Sequence, residues 1–154
     1  MSYNQWFATT FAFNLISSSV YVLNDLLDLA ADRQHLRKRI RPFAAGDVSI
    51  KFGLLTIPLL ILLGVFVASN LPSTFALVLA AYFVITLFYS FFFKRRVLVD
   101  IFTLTGLYTL RVIAGAAATG LLLSPWIVAF CLFLFLALAA IKRQTELVSN
   151  LSLG

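Results

Sequence analysis

Charge is what this chain has least of. Only 12% of its 154 residues are Asp, Glu, Lys or Arg, and 62% are hydrophobic; ordinary soluble domains run at ~25% and ~45–50%. The mean hydropathy is +1.00. A globule of this size has too little interior to hide that much apolar side chain, so a water-soluble domain is excluded and a bilayer is required. Cysteine is nearly absent: Cys131 is the single one, mid-way along an apolar run, so no disulfide framework is possible. No repeat, linker or low-complexity stretch interrupts the chain, which reads as one domain over residues 1–154. The first apolar run also lacks the basic leader and small-residue cleavage site of a signal peptide.

Five runs are long enough to cross a membrane: 6–23, 52–69, 73–93, 101–123 and 125–141. A hydrocarbon core of ~30 Å needs ~20 apolar residues at ~1.5 Å each, with ~17 the practical minimum. The fold class is therefore an all-α integral membrane protein, a multi-helix transmembrane bundle. Of the five runs only the fourth is charged, at Arg111. The other 11 Lys and Arg residues fall in alternate connections. Arg33, Arg37, Lys38, Arg39, Arg41 and Lys51 lie between the first and second runs, Lys94, Arg95 and Arg96 after the third, and Lys142 and Arg143 after the fifth. The connections around Asn70–Pro72 and Leu123–Pro125 carry none. By the positive-inside rule every basic connection is cytoplasmic. This interleaving with spans excludes nucleic acid as the partner of the basic patches.

The chemistry-bearing stretch begins where the first run ends, at Asn24-Asp25-Leu26-Leu27-Asp28-Leu29-Ala30-Ala31-Asp32. At 100° per residue Asp25, Asp28 and Asp32 fall within ~60° of one another on one helix face. Three stacked carboxylates repel unless a cation stands among them. Oxygen donors with no His or Cys pair nearby suit Mg²⁺, which completes its shell with water and substrate phosphates. The blander reading is three solvated acids paired with Arg33, Arg37 and Arg41. The following loop, from Arg37 to Pro42, can supply phosphate contacts, and Arg41 is the best placed because Pro42 stiffens its backbone. Arg33, Lys38 and Arg39 read as topology determinants and His35 as solvated.

A second cytoplasmic cluster runs from Tyr89 through Lys94 to Asp100. Asp100 opens an apolar helix, where it either serves a site or complements the helix dipole. Arg111 follows ~20° away on the same helical wheel and ~16 Å along the axis. A mid-membrane arginine needs a cavity or a partner. Gly106, Gly115, Ala116, Ala117, Ala118 and Gly120 would let neighbouring helices approach closely. Asp100 and Arg111 together also admit a different class of function, a transporter with a charged path. The acids at one surface beside an Arg-Pro loop fit a phosphate enzyme better.

Asn24-Asp25-x-x-Asp28-x-x-x-Asp32 with Arg41-Pro42 and Gly46 resembles the first Asp-rich motif of the UbiA superfamily of intramembrane prenyltransferases. The resemblance implies nine helices around a central cavity, of which this chain supplies five, and a bacterial inner-membrane enzyme with its site on the cytoplasmic side. It implies Mg²⁺ on Asp25, Asp28 and Asp32, and a diphosphate substrate bound with help from Asn24, Arg37, Arg41, Tyr89 and Lys94. The family's second motif has two acids; here Asp100 is followed four residues later by Leu104. That departure, with Tyr89-Ser90, Lys94-Arg95, Leu110-Arg111, Ser124-Pro125-Trp126, Lys142-Arg143 and Glu146-Leu147, resembles the decaprenyl-phosphate phosphoribosyltransferase branch. Its members transfer phosphoribose from phosphoribosyl pyrophosphate to a polyprenyl phosphate; the alternative is a prenyl diphosphate-dependent aromatic or lipid prenyltransferase. The resemblance makes Asp28, Lys94 and Asp100 the catalytic candidates, and Arg111 a candidate for the acceptor phosphate.

The charge alternation carries a direct test. Cysteines placed at Gln34 and Gln144 should both be labelled from the cytoplasmic side only in sealed, oriented vesicles; external labelling at either position overturns the topology.

Overall fold

The structure, a computed structural model, describes residues 3–92 and 96–151. Seven α-helices account for nearly all of it: α1 Tyr3–Leu27, α2 Leu29–Gln34, α3 Pro42–Ala45, α4 Ile50–Ala68, α5 Ser73–Phe91, α6 Val97–Thr119 and α7 Pro125–Leu151, with a 3-10 turn at Lys38–Ile40 between α2 and α3. Five of them are long and apolar enough to span: Gln5–Leu27, Ile50–Ala68, Ser73–Phe91, Val97–Thr119 and Pro125–Val148. All five expected spans are present. The fourth is displaced four residues towards the N-terminus, because Gly120 takes a left-handed conformation (φ 67°) that stops the helix. The N–H groups of Gly120 and Leu121 both turn back to the Ala116 carbonyl. Pro125 is the first residue of α7, as its fixed φ favours. At the other connection Pro72 is itself the cap and Ser73 the first helical residue.

The helices group into two compact units, Met1–Leu71 and Pro72–Gly154. In the first, α1 lies antiparallel to α4. A Cβ added at Gly53 would come within 3.2 Å of Leu26, near the end of α1, and one added at Gly64 would meet Ile16 at 2.8 Å, nearly three turns earlier along α1. The two glycines lie eleven residues apart, on one face of α4. Facing them on α1 are Ala12, Ile16 and Val20, all buried. The opposite side of α4, Leu55, Leu59, Leu62 and Phe66, is exposed. An apolar stripe of that length requires lipid or further helices around it.

In the second unit α6 packs against both α5 and α7. Tyr89 meets Asp100 and Tyr82 meets Arg111, which makes α5 and α6 antiparallel. Tyr108 meets Phe135 and Asp100 faces Arg143, which does the same for α6 and α7. The expected role of small residues is met by Ala114, Ala116 and Ala118, which are buried. Gly106, Gly115 and Gly120 differ from expectation: added Cβ atoms there would meet nothing within 4 Å. Close approach occurs instead at Gly53 and Gly64, where lack of a side chain coincides with a facing Leu or Ile.

Gly64→Leu should therefore separate α1 from α4. Overpacking of this kind costs about 1–3 kcal/mol, and an SDS or thermal unfolding curve in detergent would show it as a lowered midpoint. An unchanged midpoint would mean that the two helices do not meet at Gly64.

Candidate functional site

Helical hydrogen bonding carries through the acidic stretch even though α1 stops at Leu27. The Asp28 N–H donates to the Asn24 carbonyl at 2.9 Å, and the Asp32 N–H to the Asp28 carbonyl at 2.8 Å. Asp28 sits at the break between α1 and α2 with φ −91° and ψ 1°. The chain then makes its 3-10 turn and straightens at Arg41 (φ −64°, ψ 144°), the conformation that a following proline imposes. Pro42 opens α3, and Gly46 closes it at φ 90°, where a Cβ would be strained. The loop is anchored at both ends. Phe43 packs where a Gly53 side chain would stand, and the Ser49 hydroxyl caps α4 by accepting from the Phe52 N–H at 3.2 Å.

This route brings Arg41 back onto the acids. Its Nη1 donates to Asp25 Oδ1 at 3.0 Å and to Asp32 Oδ2 at 2.8 Å. Those two carboxylates therefore converge on a single nitrogen and do not radiate into solvent. Asp32 is buried, at 5% side-chain exposure, while Asp25 is about one-third exposed at 34%. Arg41 attracts the charge on Asp25, and Asp32 and Asp28 repel it. The positive charge that three stacked acids require is thus supplied here by a guanidinium. Among the described residues no three His, Cys, Asp or Glu side chains stand in metal-ligand geometry. Next to Asp25 in the chain, Asn24 has a buried Oδ1 with no hydrogen-bond partner among the described residues. Arg37 stands outside the group, exposed, with its backbone N–H on His35 Nδ1 at 3.2 Å.

The second unit holds a separate polar chain. Asp100, in the first turn of α6 and 5% exposed, accepts from the Tyr89 hydroxyl at 2.6 Å. Its other oxygen lies 4.0 Å from Nη1 of Arg143, which also donates to Glu146 at 3.1 Å. Lys94 lies outside the described residues. Deeper along α6, Arg111 donates to the Tyr82 hydroxyl at 2.9 Å, and its guanidinium carbon sits 5.5 Å from the ring centroids of both Tyr82 and Tyr108. Aromatic faces of this kind stabilise a cation away from water.

Residues 2–147 match the UbiA prenyltransferase family. The chain belongs to that family. It is 43% identical, over 90% of its length, to the uncharacterized protein y4nM of Sinorhizobium fredii. It is 38% identical over 86% of its length to the nodulation protein NoeC of Azorhizobium caulinodans, and 37% identical over 88% to the decaprenyl-phosphate phosphoribosyltransferase of Mycobacterium tuberculosis. It spans less than half of each of these relatives: 27%, 43% and 45% of their lengths. The UbiA family is one of multi-pass, all-α membrane transferases, and the five spans agree with it. The transporter reading gives way, since Asp100 and Arg111 are engaged by side chains of their own unit and the family is enzymatic.

The sequence marked Arg143 as a basic connection and Arg143 and Glu146 as part of the family resemblance, without a site role, and did not single out Tyr82 or Tyr108. The three-residue spacing of Arg143 and Glu146 is the signal that could have found the first pair, since such residues neighbour each other on a helix. The same three-residue spacing could have found Tyr108 beside Arg111, whereas nothing in the spacing marks Tyr82, which lies on another helix.

Removing the Arg41 guanidinium should leave Asp32 buried without its counter-charge. Arg41→Ala is expected to cost about 1–3 kcal/mol locally and to raise amide hydrogen exchange across residues 28–49; unchanged exchange would show that the ion pairs do not hold the loop.

Proposed function

We propose that this chain forms the donor-binding part of a Mg²⁺-dependent transferase that moves phosphoribose from phosphoribosyl pyrophosphate to a polyprenyl phosphate, at the cytoplasmic face of a bacterial inner membrane. The observation that carries the reading is the convergence of Asp25 and Asp32 on Arg41, beside the orphaned Asn24 Oδ1, at the end of a membrane span. The likeness to decaprenyl-phosphate phosphoribosyltransferases supports the choice of donor.

The donors suit the metal in kind, being all oxygen and mostly anionic, with Arg41 between Asp25 and Asp32; Asn24 Oδ1 adds a buried oxygen that has no hydrogen-bond partner among the described residues. Asp25, Asp28 and Asp32 would hold the ion with Asn24 beside them. Bound there, Mg²⁺ would draw the donor's pyrophosphate to the site and offset the charge that builds on it as a leaving group. Arg41 is already oriented by two carboxylates, so it can turn one or more of its remaining donors to a phosphate oxygen while keeping its place. Arg37, exposed on the same loop, and Lys94 are the further phosphate contacts in this reading.

The transfer breaks the bond between the ribose anomeric carbon and the pyrophosphate oxygen, which leaves with the electron pair. A new bond forms from that carbon to an oxygen of the acceptor phosphate. That oxygen is already anionic, so the step needs no general base. Asp100, held by the Tyr89 hydroxyl and the Arg143 cation, accordingly serves to position rather than to abstract a proton. Leu104, in place of a second acid, favours this donor over a prenyl diphosphate, which family members bind with a fuller acidic set.

The experiment supplies the purified protein, in membrane lipid, with labelled phosphoribosyl pyrophosphate or labelled prenyl diphosphate. The expected products are a lipid-extractable phosphoribosyl polyprenyl phosphate and free pyrophosphate, dependent on Mg²⁺ and reduced by several orders of magnitude in Asp28→Ala, since metal-ligand loss removes several kcal/mol of transition-state stabilisation. Prenyl transfer to an aromatic acid, with no phosphoribosylated lipid, would overturn the substrate assignment.

A further inference from the structure

Between α6 and α7 runs a groove of about 370 Å³, lined by Leu104, Tyr108, Phe135, Leu138, Ala139 and Lys142. The four α7 residues recur at intervals of three, one and three, which makes a single stripe along that helix. The groove begins at the Tyr108–Phe135 contact, where the ring centroids are 5.4 Å apart, and ends at Lys142. Its far wall is held in place, because the Tyr108 ring lies 5.5 Å from the Arg111 guanidinium carbon.

The eight residues from Phe135 to Lys142 span ~10 Å of helix axis, and the groove beside them encloses about 370 Å³. Its wall of Leu104, Tyr108, Phe135, Leu138 and Ala139 is apolar and aromatic up to the single cation at its end, a pairing that suits a slender hydrocarbon chain carrying an anionic head. Lys142, exposed at the basic end of α7, places an ammonium where such a chain would present its headgroup, and an ammonium pairs with phosphate as a point charge.

The geometry points to a binding site for a single-chain phosphorylated lipid in the α6–α7 groove, with the chain against Tyr108, Phe135 and Leu138 and its phosphate on Lys142. The identification of that lipid as the polyprenyl phosphate acceptor rests on the function proposed above. Asp100 and Arg143 stand across the same pair of helices from each other, so the phosphate end of the lipid reaches the level of the Tyr89–Asp100 pair.

The test uses the protein in phosphatidylcholine nanodiscs with two photoreactive probes, a short polyprenyl phosphate and the matching unphosphorylated polyprenol, each carrying a diazirine near the head end. Cross-links read by mass spectrometry should fall on Tyr108, Phe135 and Leu138. Unlabelled polyprenyl phosphate should compete, and phosphatidylglycerol should not. Lys142→Gln should weaken labelling by the phosphate about tenfold, the loss of one charge-assisted contact, and leave polyprenol labelling unchanged, which also shows that the variant is folded. Ala139→Phe should block both probes. Labelling elsewhere, equal competition by phosphatidylglycerol, or indifference to Lys142→Gln would overturn the site. Photolabelling needs no turnover, so the two readings fail separately: a labelled groove without phosphoribosyl transfer removes the reaction and keeps the groove, and transfer with labelling outside the groove does the reverse.

Discussion

A single guanidinium nitrogen reaches Asp25 and Asp32 at 3.0 and 2.8 Å, and the arrangement of the loop between α1 and α4 follows from that contact. Two carboxylates that share one nitrogen, one of them buried, repel each other unless a cation stands between them. The chain meets the requirement by bending. Asp28 interrupts α1, the 3-10 turn reverses direction, and Pro42 holds Arg41 extended so that its side chain points back. Gly46 and the Ser49 cap then return the chain to the bilayer as α4. The loop is thus a device for delivering one positive charge to an acidic helix end.

The bilayer imposes the complementary constraint, that every polar group within a span must find its partner in protein. Thr9, Ser19, Thr86, Ser90, Thr105 and Thr109 do so locally, each donating its hydroxyl to a carbonyl three or four residues back on its own helix. Charged groups cannot be satisfied that way. Asp100 draws on two other helices, Tyr89 of α5 and Arg143 of α7, and Arg111 draws on the Tyr82 ring and hydroxyl of α5. Those few long-range contacts fix the order and register of α5, α6 and α7. The same residues that tie the unit together are therefore the ones that give it chemistry.

Much of this was legible in the sequence because its causes are local. Five apolar runs, the alternation of basic connections and the periodicity of Asp25, Asp28 and Asp32 each depend only on neighbouring residues, and all five helices are present. The cation among the acids was legible as a need but not as an identity, since Mg²⁺ and Arg41 satisfy the same electrostatics and the choice of Arg41 depends on a sixteen-residue loop closing in three dimensions. Helix contacts were less legible still. Gly106 and Gly115 look like packing positions and are open, whereas Gly53 and Gly64 do the packing, because a small residue matters only where a large one faces it. The partners of Arg111 lay hidden for a like reason: Tyr82 is twenty-nine residues away, and no spacing rule links two helices.

The two acidic positions differ in a way that bears on the chemistry. Asp25 keeps a third of its side-chain surface open and shares Arg41 with Asp32, whereas Asp100 is buried with a hydroxyl donor and a cation already in place. The first arrangement leaves one acid partly open beside a cation that a second, buried acid also holds. The second is closed: drawing Asp100 away would take the acceptor from the part-buried Tyr89 hydroxyl, a penalty of about 1–3 kcal/mol, while Arg143 would keep Glu146. Four residues beyond Asp100, one helical turn deeper, Leu104 presents hydrocarbon to the α6–α7 groove where an acid would have demanded another cation. The sequence departure at Leu104 thus has a structural consequence: it gives the groove beside the buried acid an apolar wall.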